Sequence, residues 1–330
     1  MNAIQTPFIN IQTDFGFKEV FGREKNKKAL LRFLNILFDG KLRITDVTYH
    51  DKEILPSEQD GKRIIYDVYC TTPAKKSDSS FFPEVQTSGR DGEKEKDHHF
   101  ILEMQNIYVH PFEERIVFYA SRMISGQGKP GWDYELDPVF AIALTDFNFS
   151  HMKPKLVRDV MLVDRDSMEP LTDKLHIMMC SLKEVPEKWE ACRTELEEIM
   201  FLIKNMDNMD SASTAYREGK YAEVFDAARS NNLRPDDMVE YSKSLDKLRD
   251  IQRGIKYEAE RASKKAMEEG RAKGIAEGRA KGIAEGRAKG IAEGRAEEKI
   301  VIAKNMRSSG INADIIAACT GLSITEILSL

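Results

Sequence analysis

Residues 64–70, IIYDVYC, and residues 100–106, FILEMQN, decide how this chain is read. Each is an apolar run broken by one acid: Asp67 in the first, Glu103 in the second, with Gln105 two positions further on. Side chains alternate across a strand with period two, so a strand over 100–106 puts Glu103 and Gln105 on one face and Leu102 and Met104 on the other. A polar face on an otherwise apolar strand needs a partner. An ionised carboxylate left alone in a low-dielectric site costs roughly several kcal/mol, so it is paired, protonated or bound to a cation.

Two arrangements meet that requirement. In one, Asp67 arrives from a neighbouring strand and joins Glu103 in a divalent-metal site. Mg²⁺ or Mn²⁺ suits such oxygen donors, completed by water and substrate phosphate. Gln105, being neutral, would then orient a water or hydrogen-bond a phosphate oxygen. In the other arrangement both acids lie near strand ends, bonded to backbone or paired with Arg or Lys. The spacing by itself leaves both open.

Outward from these strands the pattern is mixed. Residues 14–38 carry apolar side chains at helical spacing around a polar turn at 22–28, which predicts two helices. Asp14 reads as the N-cap of the first helix. Lys18 and Glu19 read as surface residues, and the basic cluster Arg23, Lys25, Lys27, Lys28 and Arg32 as a solvated face or a positive rim. Residues 42–55, β-branched and ending at Pro56, predict a strand, and a polar turn at 58–62 leads into a second at 63–71. Residues 138–145, 155–163 and 173–182 are further strands, and 111–125 a helix. On that helix Arg115 and Tyr119 share a face, either to bind a phosphate and a water or as a surface Arg stacked on a half-buried Tyr. His98 and His99, adjacent and beside Asp97, read as loop. The expected fold is α/β, a mixed central sheet flanked by helices.

The blocks TDFGFKEVFG at 13–22, YDVYC around Asp67, ILEMQN around Glu103 and RIVFYASRM at 115–123 resemble the Rpn family of recombination-promoting nucleases and transposases. That family belongs to the PD-(D/E)XK, restriction-endonuclease-like superfamily. The resemblance implies a metal-dependent DNA endonuclease in which Asp67 and Glu103 hold Mg²⁺ and Gln105 takes the place of the motif lysine. It also puts Asp14 in the first motif, which implies an approach to the metal site from the first helix as the alternative to capping. The chain departs from the pattern between its acids, where a polar segment at 72–99 replaces a short hairpin and separates Asp67 from Glu103 by 36 positions. A second Glu-x-Gln, Glu84 and Gln86, lies inside that segment. Glu103 is the better candidate, because Glu84 follows Pro83, which disfavours a central strand.

These readings make residues 1–185 a nuclease-like domain. Residues 186–260 carry three apolar stripes at helical spacing and predict a helical subdomain docked on it. A repeat, GRAKGIAE, then starts at Gly270, Gly278 and Gly286, with a partial copy at Gly294. Seven glycines at four-residue intervals cost a helix about 7 kcal/mol relative to alanine, while pairs such as Glu277 with Lys281 return about 0.3–0.5 each. Residues 261–299 are therefore expected to be a frayed helix or charged linker. Residues 300–330 read as a small helical tail similar to a helix-turn-helix, with Ser323 as an N-cap. Its last helix lacks Arg or Lys to reach DNA, so self-association or partner binding competes with DNA contact.

Composition narrows the function classes. At 32% charged and without a run near the roughly 20 apolar residues of a membrane span, the chain is not expected in a membrane. The N-terminus lacks a signal-peptide pattern, and four scattered cysteines fit reduced thiols, so a cytoplasmic location is expected. A net charge of −5 is low for a nonspecific nucleic-acid binder and confines any DNA contact to a local basic rim. The sequence reading is thus a Mg²⁺- or Mn²⁺-dependent DNA endonuclease linked to recombination or transposition. Its competitor is a catalytically weak scaffold that uses its helical tail for homo-oligomer or partner contacts.

Overall fold

A computed structural model describes residues 6–51, 53–54, 64–73, 97–209 and 215–330. The elements are, in order, α1 (Asp14–Phe21), α2 (Lys27–Phe38), β1 (Thr48–Tyr49), β2 (Glu53–Ile54), β3 (Ile64–Ile65), β4 (Val68–Pro73), β5 (Asp97–Gln105) and α3 (Phe112–Ser125). There follow β6 (Val139–Thr145), β7 (Val157–Val160), β8 (Leu175–Ser181), α4 (Glu195–Asn205), α5 (Ala222–Ala227), α6 (Pro235–Ser308), α7 (Ala313–Thr320) and α8 (Ile324–Ser329). Contacts divide the chain into two compact units, Met1–Gln252 and Arg253–Leu330.

In the first unit a six-stranded sheet runs β1-β4-β5-β6-β8-β7. The β5–β6 and β6–β8 pairs are parallel, and the pairs β1–β4, β4–β5 and β7–β8 antiparallel. Strand β6, VFAIALT, is buried at every residue, as expected of a central parallel strand covered on both faces. One face packs Phe100, Leu102, Phe140, Ile142 and Leu144 against α1 and α2, with Phe38 edge-on to Phe140 at 5.0 Å. The other packs Ala141, Ala143 and Ile177 against Phe112, Ile116 and Ala120 of α3. This is the mixed α/β, restriction-endonuclease-like sheet expected from the sequence. Helices α4 and α5 and the start of α6 enter the same core as α1 and α2, through Ile199, Ile203, Phe225 and Tyr241.

Several local expectations are corrected. Among the described residues, the strand predicted over 42–55 pairs only at Thr48–Tyr49 and Glu53–Ile54. Asn35 explains part of this: its side chain accepts the Ile44 N–H (2.9 Å) and donates to the Ile44 carbonyl (2.7 Å), removing that backbone from any ladder. The strand predicted over 63–71 breaks at Tyr66 and Asp67, between β3 and β4. His98 and His99 lie within β5 rather than in a loop: the His98 ring lies tilted to Phe140 at 6.0 Å, and His99 Nδ1 meets the Tyr69 hydroxyl at 3.0 Å. Glu84 and Gln86 fall outside the described residues.

The second unit starts within α6. The glycine repeat, expected to fray, is continuous helix, with no proline after Pro235 to break it. Its i,i+4 pairs run from lysine to the following glutamate, Lys273–Glu277, Lys281–Glu285 and Lys289–Glu293 at 4.0, 3.9 and 3.8 Å, not in the Glu277–Lys281 sense. Helices α7 and α8 close on the last turns of α6 around Ala303, Ile316 and Ile327. Between them Gly321 takes φ +71°, a conformation that favours glycine, and Ser323 caps α8 in a capping box with Glu326. No helix is long and apolar enough to cross a membrane among the described residues.

Candidate active site

Asp67 and Glu103 are brought together by strand register. The antiparallel ladder that pairs Val68 with Leu102 carries Asp67 to a place across from Glu103, where β4 gives way to a bend. There the Met104 N–H donates to Asp67 Oδ2 at 3.0 Å. Glu103 and Gln105 share the face of β5 that looks toward α3, as the period-two reading requires.

Both carboxyls are held above their ordinary pKa range. Burial pushes Glu103 from 4.5 up to about 9, the negative charge of Asp67 adds to the shift, and Arg115 works against it. Asp67 is also raised, first by burial, against the Lys18 ammonium and the Met104 N–H. Glu103 Oε1 is buried without a hydrogen-bond partner. Such an atom is costly in a folded protein unless a proton, a water or an ion meets it.

The surrounding side chains revise the expectations. Asp14 is the first residue of α1 and not its cap; Thr13 is the cap, accepting the Gly16 N–H at 2.9 Å. Lys18, expected at the surface, bridges two acids, with Nζ 2.6 Å from Asp14 Oδ1 and 3.2 Å from Asp67 Oδ1. Glu19, also expected at the surface, is 2% exposed and held by Arg23 at 3.0 Å and Lys25 at 2.6 Å, which commits two members of the basic cluster. Gln105 is fully engaged: its Oε1 accepts from Arg115 Nη2 at 2.5 Å and its Nε2 donates to the Ile107 carbonyl at 2.9 Å. Arg115 lies over Phe112, 5.1 Å from the ring centre, rather than on Tyr119. Tyr119 stands edge-on to Tyr66 at 5.4 Å, and its hydroxyl pKa is raised by burial and by Glu103.

All six sequence candidates, Asp14, Asp67, Glu103, Gln105, Arg115 and Tyr119, line one open cleft of about 250 Å³. Gln12, Asn106 and the α6 residues Ser244, Lys247, Leu248 and Ile251 complete it. The Asn106 side chain donates to the Gln12 carbonyl at 2.8 Å, tying the end of β5 to the entry of α1.

Comparison with known proteins is decisive on family. The model of the PD-(D/E)XK nuclease family transposases matches residues 11–95 and 91–258. The chain belongs to that family. No curated protein and no solved structure gives a significant match. Among the described residues no cluster of three His, Cys, Asp or Glu side chains is assembled. The oxygen pair of Asp67 and Glu103, with the unpartnered Glu103 Oε1, nevertheless fits a hard divalent cation that keeps several waters. Sequence reasoning missed Lys18 and the α6 wall. The i,i+4 spacing of Asp14 and Lys18 was the available signal for the first; nothing local announces the second.

Proposed function

We propose that the chain is a metal-dependent endonuclease that hydrolyses DNA phosphodiester bonds in the cytoplasm, in recombination or transposition. The observation that carries the proposal is the Glu103 carboxyl, buried beside Asp67 with Oε1 lacking a hydrogen-bond partner, in the lining of a cleft of about 250 Å³. Family membership supports nuclease chemistry of this general kind.

Asp67 and Glu103 would hold Mg²⁺ or Mn²⁺, which when bound supplies Lewis acidity to the scissile phosphate and to the attacking water. The remaining roles fall to the protein. The Met104 N–H fixes one Asp67 oxygen. Gln105, clamped by Arg115 and the Ile107 carbonyl, fixes the rim of the site and lacks the ammonium of a motif lysine. Lys18 supplies that charge instead, 3.2 Å from Asp67, where it counters negative charge developing on the phosphate. Asp14 holds Lys18 in place at 2.6 Å, and Tyr119 borders the cleft as a hydrogen-bond donor to substrate or water.

Plasmid nicking by purified protein, with Mg²⁺, Mn²⁺ or EDTA, tests the reading on the wild type and Glu103→Ala. Metal-dependent nicking that disappears in the variant supports it. Equal nicking by both moves the site elsewhere, and no nicking by either under several metals and salts rejects the endonuclease. Self-association is proposed for the C-terminal helices, where Val301, Ile315 and Leu328 stay 55%, 55% and 60% exposed. Sedimentation of the full chain and of Ile315→Glu reads it directly.

A further inference from the structure

A phosphodiester approaching this cleft meets Asp14, Asp67 and Glu103, and so needs positive charge to hold it. Most nearby cations are already committed. Lys18 is shared between Asp14 and Asp67, and Arg23 is paired with Glu19 and lies 3.8 Å from Asp237, while Arg115 is held by the neutral amide of Gln105 and lends its charge to the α3 side of the cleft. Lys247 differs. It lines the same cleft, is exposed, and among the described residues forms no ion pair.

Its backbone is also fixed relative to the acids. Ser244, Lys247, Leu248 and Ile251 share one face of α6 at spacings of three, four and seven, and all four line the cleft. The start of α6 is fastened to the entry of α1: the Tyr241 hydroxyl accepts the Asn10 N–H at 2.7 Å, and Ser244 Oγ accepts the Phe15 N–H at 3.1 Å. Leu248, next to Lys247, is 4% exposed. A lysine one turn beyond a bonded serine and beside a buried leucine is a positioned charge on a rigid wall. Its long, flexible side chain can follow a phosphate from that fixed base.

We propose that Lys247 is a substrate-positioning residue that grips a backbone phosphate of the DNA strand lying in the cleft, across from Asp67 and Glu103. The assignment deepens the endonuclease reading and rests on it. Lys247 acts by charge on the phosphodiester backbone, a chemistry common to single-stranded and duplex DNA.

The test measures binding without cleavage: fluorescence anisotropy of a labelled single-stranded oligonucleotide, and of its duplex, with the full chain in Ca²⁺ over a range of salt. Wild type, Lys247→Ala, Lys247→Arg and the exposed control Lys188→Ala are compared. One phosphate contact contributes about 0.7 to the slope of log K against log salt on a single strand and about 0.9 on a duplex. Lys247→Ala should weaken binding about three- to tenfold at low salt and flatten the slope by about that one contact. Lys247→Arg should keep the slope, and Lys188→Ala should leave binding unchanged. The arm that flattens, single strand or duplex, names the form the cleft holds. Wild-type binding with an unchanged slope in Lys247→Ala overturns the assignment alone. Absence of DNA binding by the wild type overturns the endonuclease reading and this assignment with it.

Discussion

Replacing Glu103 with glutamine should stabilise the metal-free protein, and only at neutral to alkaline pH. The Glu103 carboxyl moves from 4.5 to about 9 on folding because burial disfavours its charge, with Asp67 beside it. The folded state therefore holds this proton more tightly than the unfolded chain does. Below about pH 4.5 both states are protonated and the group contributes nothing to the difference. As pH rises from 4.5 towards about 9 the unfolded chain releases the proton first, and the folded state loses stability progressively until it too ionises. At about 1.36 kcal/mol per pKa unit the ceiling is about 6 kcal/mol. Relaxation and water entry reduce such penalties, leaving about 2–3 kcal/mol at the upper end of the window. Glutamine keeps the shape and an acceptor oxygen and never carries the charge. For a unit of this size the gain corresponds to a rise of about 5–10 °C in Tm.

Thermal unfolding in EDTA, from about pH 5 to about pH 9, reads this directly. The wild type and Glu103→Gln should coincide at the acid end and separate steadily as pH rises, the variant being the more stable. Mg²⁺ added at the alkaline end should raise the wild-type transition more than that of the variant, since a cation replaces the missing partner of the carboxylate. Parallel pH profiles, or a variant less stable than the wild type throughout, would refute the reasoning. They would mean that the folded protein already provides the ionised carboxylate with what it needs.

Two further outcomes follow from packing. Tyr241→Phe removes the acceptor of the Asn10 N–H from a side chain 1% exposed, and should lower stability in urea by about 1–3 kcal/mol without changing the slope of the transition; an unchanged midpoint would mean that water replaces the hydroxyl. Alanine at Gly274, Gly282 and Gly290, where an added Cβ meets nothing within 4 Å, should favour helix by about 1 kcal/mol per site. Amide hydrogen exchange across the repeat should slow accordingly, and exchange as fast as in the wild type would argue that the repeat is not held as helix in solution.

The sheet was legible from local pattern. Residues 138–145 and 173–182 are short apolar runs, 100–106 alternates, and each became a central strand because burial on two faces is written into the residues themselves. The candidate acids were legible for the same reason: Asp67 and Glu103 interrupt apolar runs, and an interruption in a buried strand is visible without coordinates. Residues 42–55 were misjudged because β-branched composition says nothing about Asn35, which captures the Ile44 backbone from another element. For the repeat the sequence left linker and helix open, and its exposed lysine-to-glutamate pairs at 3.8–4.0 Å are too weak to have decided between them.

By itself, then, the sequence determined the central strands and the helices that flank them, the face of β5 that carries Glu103 and Gln105, and the family, since all depend on residue type and short-range spacing. Tertiary structure alone decided which charges are committed and which remain to meet a ligand. Lys18 and Glu19, adjacent and equally polar, part company only when α1 packs: one reaches Asp67, the other is buried under Arg23 and Lys25. Lys247 lies 180 positions from Asp67, and no local rule links them. The physical reason is that apolar periodicity acts within a few residues, whereas the pairing of a charge depends on every element that folding brings within a few ångströms of it.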